Sequence, residues 1–192
     1  MRGPIGSDFH KVQSIHKTLI YAQLDYWQNH IVFTDLWWLL VVLCVVAWAV
    51  WVKTVDKRHL PQIALFGAFV LIVTTTLDGL GSETLMWDYP VQVTPHFTRF
   101  IPVDFVAMPL TYMWLYQGCK TWRSFIIASV VMSLTFSFLL EPLAAWIGIY
   151  DPIHWRHIYS FPIYVAIALC LRWTVEAIFR RAARSSSPPP SR

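Results

Sequence analysis

The sequence predicts an all-α, polytopic membrane protein of about five transmembrane helices, with an N-terminal amphipathic interfacial helix and a parallel two-helix repeat. Three observations predict it. The 192 residues are 56% hydrophobic and only 14% charged, where a soluble domain carries roughly a quarter charged. The apolar residues fall in runs long enough to cross a bilayer core, which takes about 20 residues. The basic residues and tryptophans sort between alternate ends of those runs.

In chain order, the first 30 residues form an outer-face amphipathic segment. Val12, Ile15, Leu19, Ala22 and Tyr26 recur at helical spacing, with Ser7 or Asp8 available as a cap. Such a helix lies in the membrane interface, or holds a partner there. It has no apolar core followed by a small-residue cleavage site, so no cleaved signal is expected. The membrane domain is 31–179. Span one is Leu36 to Val52, without Gly and with Trp37, Trp38, Trp48 and Trp51, so it is expected to pack through bulky side chains. Span two is Leu60 to Leu77, ending at Asp78. Span three is Phe100 to Gln117, interrupted by Asp104, and span four is Ser124 to Leu140, ending at Glu141. Span five begins at Ile158 and needs residues beyond Leu171 to reach full length; Arg172 within it could snorkel. The tail 180–192, RRAARSSSPPPSR, is basic and low in complexity, and is expected to be disordered beside the anionic inner leaflet.

Orientation follows from the loops. Lys53, Lys57 and Arg58 follow span one, Lys120 and Arg123 follow span three, and Arg180, Arg181, Arg184 and Arg192 follow span five. The alternate loops hold Arg99 and Arg156 alone. The positive-inside bias puts the C-terminus in the cytoplasm and the N-terminus outside a cell membrane, against the weaker pull of Arg2, Lys11 and Lys17. Trp48, Trp51, Trp114, Trp122 and Trp173 then form an inner belt. Trp37, Trp38, Trp87, Trp146 and Trp155 form an outer one.

Several functions are excluded. No basic face with interleaved aromatics suits nucleic acid. Cys44, Cys119 and Cys170 are scattered and odd in number, which reads as small buried hydrophobes rather than a disulfide framework. There is no CxxC pair, no phosphate-binding glycine loop and no nucleophile elbow, so no cofactor is expected.

The chemistry gathers at the outer ends of spans two and four. LDGLGSETLMWDYP (77–90) and LEPLAAWIGIYDP (140–152) each open with a leucine and an acid. Nine residues after Asp78 and Glu141 come Trp87 and Tyr150, then Asp88 and Asp151, then a proline. Arg99 and Arg156 precede the next spans. This is a parallel repeat of spans two–three and four–five. Both acids are expected at helix C-termini, against the macrodipole. Two readings follow. Either Arg99 and Arg156 tie the acids as struts, or Asp78, Asp104 and Glu141 line an outward-facing polar cavity with Arg99, Arg156, Trp87 and Tyr150. Asp151, His154 and His157 recur every three residues. A helical turn would gather them, with His96, as weak candidates for a metal.

The pattern LDYWQNH…WW, an acid closing span two, P-x-D at 102–104, and GIYDPIHW…YSFPIY resembles a group of small uncharacterised multi-spanning membrane proteins of spore-forming Firmicutes. That resemblance implies a bacterial membrane protein and no chemistry. The acid repeat is also similar to the carotenoid cyclase membrane domains, although their paired glutamates are lacking here. Three functions stay open: binding of a lipid, small solute or membrane-protein partner; acid–base chemistry by Asp78 and Glu141 on an isoprenoid or lipid; or carriage of a solute or ion.

Overall fold

A computed structural model describes residues 5–95 and 100–185 of the chain. The described residues are helices joined by short turns. α1 (Ile5–Tyr26) runs into a π-helical turn, Trp27–Ile31, and α2 is Asp35–Thr54. A 3₁₀ turn, Lys57–His59, leads to α3 (Leu60–Glu83). A π segment, Pro102–Ala107, leads to α4 (Met108–Gly118). α5 (Trp122–Thr135) continues through a π segment, Phe136–Leu140, into α6 (Glu141–Ile147), and α7 is His157–Ser185.

Four of these helices are long and apolar enough to cross a membrane: Asp35–Thr54, Lys57–Glu83, Trp122–Ile147 and His157–Ser185. The chain is therefore all-α and fits a multi-pass membrane protein. The remaining expected span, Phe100 to Gln117, is helical from residue 101 but does not reach that apolarity. Its position explains the difference. Met108, Pro109, Leu110, Tyr112 and Met113 are buried, because α2, α3 and α5 pack around this segment. A helix enclosed by other helices meets little hydrocarbon, so it can carry Asp104 and Gln117.

The two later π segments precede prolines. Pro109 and Pro142 lack an N–H, and each ring presses on the carbonyl four residues earlier, Phe105 or Phe138. Those carbonyls lie in the π segments 102–107 and 136–140, where the wider turn gives the ring room.

α3 packs along α4 and α5 along α7, the two hairpins of the expected repeat, and α3 against α7 joins them. Ser129, Ser133 and Ser137 form a fully buried stripe on α5 and its π turn, small enough to let a neighbouring helix approach. Phe66, Tyr112, Phe125 and Val175 fill the centre. Span one packs in part through bulky side chains, as expected. Leu40 and Trp51 are buried, but Cys44 and Ala47 stand between them on the seam, and the rest of α2 is largely exposed. α1 begins at Ile5, with Asp8 in its first turn. It is held to the loop after α3 by Trp27, whose Nε1 donates to the Gln92 carbonyl at 3.0 Å.

Other expectations change at the second end of the bundle. Arg172 does not snorkel; it is buried. It donates to Glu176 Oε1 at 2.7 Å and to the Cys119 carbonyl at 3.1 Å, and it lies over the Phe125 ring at 4.4 Å. α7 runs to Ser185, so residues 180–185 of the expected tail are helical; 186–192 lie outside the described residues. The cysteines are free, and none is fully buried, Cys170 being exposed.

Candidate functional site

The acids do not stand where the sequence placed them. α3 continues past Asp78 to Glu83, and α6 opens at Glu141 and runs to Ile147. Neither carboxylate therefore meets the negative end of a helix dipole. What ends both helices is the same turn at the same distance. After α3, the Leu85 N–H bonds the Ser82 carbonyl at 3.0 Å, and Met86 N–H bonds Gly81 at 2.9 Å. After α6, Gly148 N–H bonds Ala145 at 3.1 Å, and Ile149 N–H bonds Ala144 at 2.9 Å. These are paired Schellman caps, with Leu85 (φ 55°) and Gly148 (φ 83°) in the left-handed position. Each lies seven residues beyond its acid.

The caps turn the chain back, and the two loops meet. Asp88 and Asp151 form an antiparallel bridge, each N–H donating to the other's carbonyl at 2.9 Å. Residues matched by the sequence repeat thus bond each other. A local two-fold relation between the hairpins produces this arrangement.

Below the bridge lies a cavity of about 470 Å³. Asp78, Asp104, Glu141, Trp87 and Tyr150 all line it, so five of the expected site residues come together. Most of the remaining wall is aliphatic or aromatic. Asp78 is buried at 8% exposure. Its Oδ1 accepts from Trp87 Nε1 at 2.8 Å and from the Tyr89 hydroxyl, while Oδ2 stands 3.5 Å from the Phe100 N–H. Trp87 reaches Asp78 because position 81 is glycine; a Cβ there would overlap the indole ring. Glu141 accepts from the Tyr164 hydroxyl at 2.7 Å on Oε1, and Oε2 pairs with His157 Nδ1 at 2.9 Å.

Arg156 is exposed and is not among the partners of Glu141, and Arg99 and His96 lie outside the described residues. The strut reading therefore changes its partner: the helix after the loop supplies His157 where Arg156 was expected. The metal candidates separate too. No helical turn forms at 151–156. Asp151 is in the bridge, His154 Nδ1 donates to the Leu85 carbonyl at 3.0 Å, and His157 turns to Glu141. Among the described residues no three His, Cys, Asp or Glu side chains are grouped to hold a metal.

Tyr89, Trp155 and Tyr164 complete the wall and were not expected from the sequence. Tyr164 stands 23 residues beyond Glu141 across a hairpin, a distance at which no local periodicity gives a signal. Tyr89 stacks on Phe100 with centroids 4.7 Å apart, and Trp87 meets Trp155 edge-on at 4.8 Å. Burial first, and the neighbouring Asp78 charge second, hold the Tyr89 phenol well above its ordinary range. Burial, then Glu141, raises Tyr150 as well. No protein-family model, curated protein or solved structure matches this chain.

Proposed function

We propose that the protein binds a hydrocarbon-bearing small molecule or lipid from the bilayer, in the cavity between its two hairpins. The observation that carries this reading is where the cavity is exposed. Of its lining residues, Leu77 and Leu80 on α3, Thr84 and Met86 just after it, and Leu140 before α6 are exposed. Among the described residues, α3 and α6 are not a packed pair. The mouth therefore lies between them, flanked by leucines, on a surface suited to lipid rather than water. The volume is within the about 300–1,000 Å³ usual for small-molecule sites, and few polar groups project into it. The acids support binding more than acid–base chemistry, since each already accepts two side-chain hydrogen bonds.

The orientation belongs to the same proposal: N-terminus outside, C-terminus cytoplasmic, with cavity and bridge in the outer half of a bacterial cell membrane. A cytoplasmically active reporter fused at the C-terminus should work, and the same reporter at residue 90 or 153 should be silent. Activity at either loop refutes the orientation. For binding, the purified protein is extracted and its lipids and small molecules are surveyed by mass spectrometry. A species enriched with the wild type and lost from Ala107→Phe, which fills the cavity wall, supports the reading. Identical extracts from both proteins count against it.

A further inference from the structure

The lining of the cavity selects among hydrocarbon-bearing molecules by charge. We propose that its occupant is a lipophilic amine, a protonated nitrogen on an apolar body, and not an anionic lipid. This rests on the binding reading above and narrows it.

Two independent features of the wall point to a cation. The first is the set of charges. Asp78, Asp104 and Glu141 line the cavity, and among the described lining residues there is no Lys, Arg or His. A phosphate or carboxylate head entering that space would meet like charge with no donor cation to offset it. An ammonium head brings three N–H donors. A carboxylate offers about four acceptor sites, and neither acid has used its full capacity. Asp78 is the more available. Both its close donors crowd Oδ1, and the nearest donor to Oδ2 stands at 3.5 Å.

The second feature is the aromatic wall. Trp87, Tyr89, Phe100, Tyr150 and Trp155 line the same cavity as the acids. Their ring faces carry the negative part of the quadrupole, and a cation within about 6 Å of such a face is stabilised, most where water is excluded. Trp87 and Tyr89 are oriented by the carboxylate itself, because their N–H and O–H donate to Asp78. Acid and rings form one rigid assembly, and the hydrogen bonds that set it come from the loop above. A neutral alcohol would gain the apolar contact but neither the charge nor the ring contribution.

The test uses full-length protein in lipid nanodiscs and three probes with the same chain: decylamine, decanol and decanoate at neutral pH. Binding is read by isothermal titration against empty nanodiscs, for wild type, Glu141→Gln, Trp155→Leu and Ala107→Phe. The proposal expects decylamine to bind about tenfold or more tighter than decanol, as a charge-assisted contact does, and decanoate to bind weakest. Glu141→Gln and Trp155→Leu should each weaken decylamine more than decanol, bringing the two probes together. Equal binding of amine and alcohol, both abolished by Ala107→Phe, would overturn the amine proposal and keep the cavity reading. Binding of every probe unaffected by Ala107→Phe would remove the cavity reading itself. Tightest binding by decanoate would overturn the charge argument directly.

Discussion

The loop after α3 and the loop after α6 begin alike and end differently. Each leaves its helix through the same pair of cap hydrogen bonds, seven residues past an acid, and reaches the bridging aspartate three residues later. Asp78 is then served from its own loop, by Trp87 and Tyr89. Glu141 is served from the next helix, by His157 and Tyr164. Chain length between the helices decides which. The first loop is long enough to fold back over its acid; the second reaches α7 at His157, whose opening turns present His157, Ser160 and Tyr164 along one face. The comparison teaches that a repeat can keep its backbone frame while the donors to the equivalent acid come from different parts of the chain.

That difference predicts unequal costs. Asp78→Ala strands the Trp87 N–H and the Tyr89 O–H beneath the bridge, about 1–3 kcal/mol for each buried donor left unmade. Glu141→Ala strands the Tyr164 hydroxyl, but His157 is 28% exposed and can turn to water. Thermal unfolding in detergent should therefore show Asp78→Ala melting clearly below Glu141→Ala. Equal melting temperatures would mean that loop and helix serve their acids alike.

Gly81→Ala comes next. The added Cβ displaces the indole ring from Asp78, an overpacking cost of about 1–3 kcal/mol. Its counterpart Ala144 already carries a Cβ, so Ala144→Gly should cost no more than about 1 kcal/mol, the helix penalty of glycine. If both changes cost the same in thermal unfolding, the indole is not seated on Gly81 as described.

Alkaline pH separates the two loops again. Tyr89 and Tyr150 have pKa values raised above the usual value of 10.0 by folding. Their contribution is whole below that value and is lost as pH rises through the folded values, because the unfolded chain releases its protons first. Unfolding free energy should fall above about pH 10, by up to about 1.4 kcal/mol per pH unit for each phenol. Tyr89→Phe should flatten that arm over a wider pH range than Tyr150→Phe: nearby carboxylates raise both phenols, but the Tyr89 hydroxyl also donates to Asp78. An alkaline slope unchanged in both variants would refute the assignment.

Much of this frame was legible in the sequence, and the reason is physical. Uncharged runs report helices that must bury backbone polar groups in lipid, and the acid–aromatic–aspartate spacing reports a local turn used twice. Span three, Phe100 to Gln117, was legible as a helix but not as the enclosed one, because enclosure depends on its neighbours. Asp78, Asp104, Glu141, Trp87 and Tyr150 were legible as candidates for one cavity, beside the alternative of Arg-tied struts, because each lies near the same end of a predicted span. The partners were misread where they act across the hairpin. Arg156 is adjacent in sequence to His157, and only the direction in which α7 starts decides which of them faces Glu141. Gly81 was visible as a glycine, but the ring that requires it lies beyond a reversal of the chain.

The smallest effect tests the cap itself. Left-handed backbone costs a side-chain-bearing residue roughly 1–2 kcal/mol, and glycine avoids most of that. The second cap uses Gly148; the first uses Leu85, which is 61% exposed and so has little burial to lose. Leu85→Gly relieves the strain, while the greater freedom of glycine in the unfolded chain takes back about 0.5–1 kcal/mol. The net expectation is a gain below about 1 kcal/mol, seen as a small rise in melting temperature. Gly148→Leu imposes the same strain where none exists and should lower it. The His154 side chain holds the Leu85 carbonyl, so the first turn stays in place in Leu85→Gly. If Leu85→Gly instead lowers stability, the leucine side chain makes a contact worth more than its exposure indicates. The strained residue would then be retained for that contact and not merely tolerated.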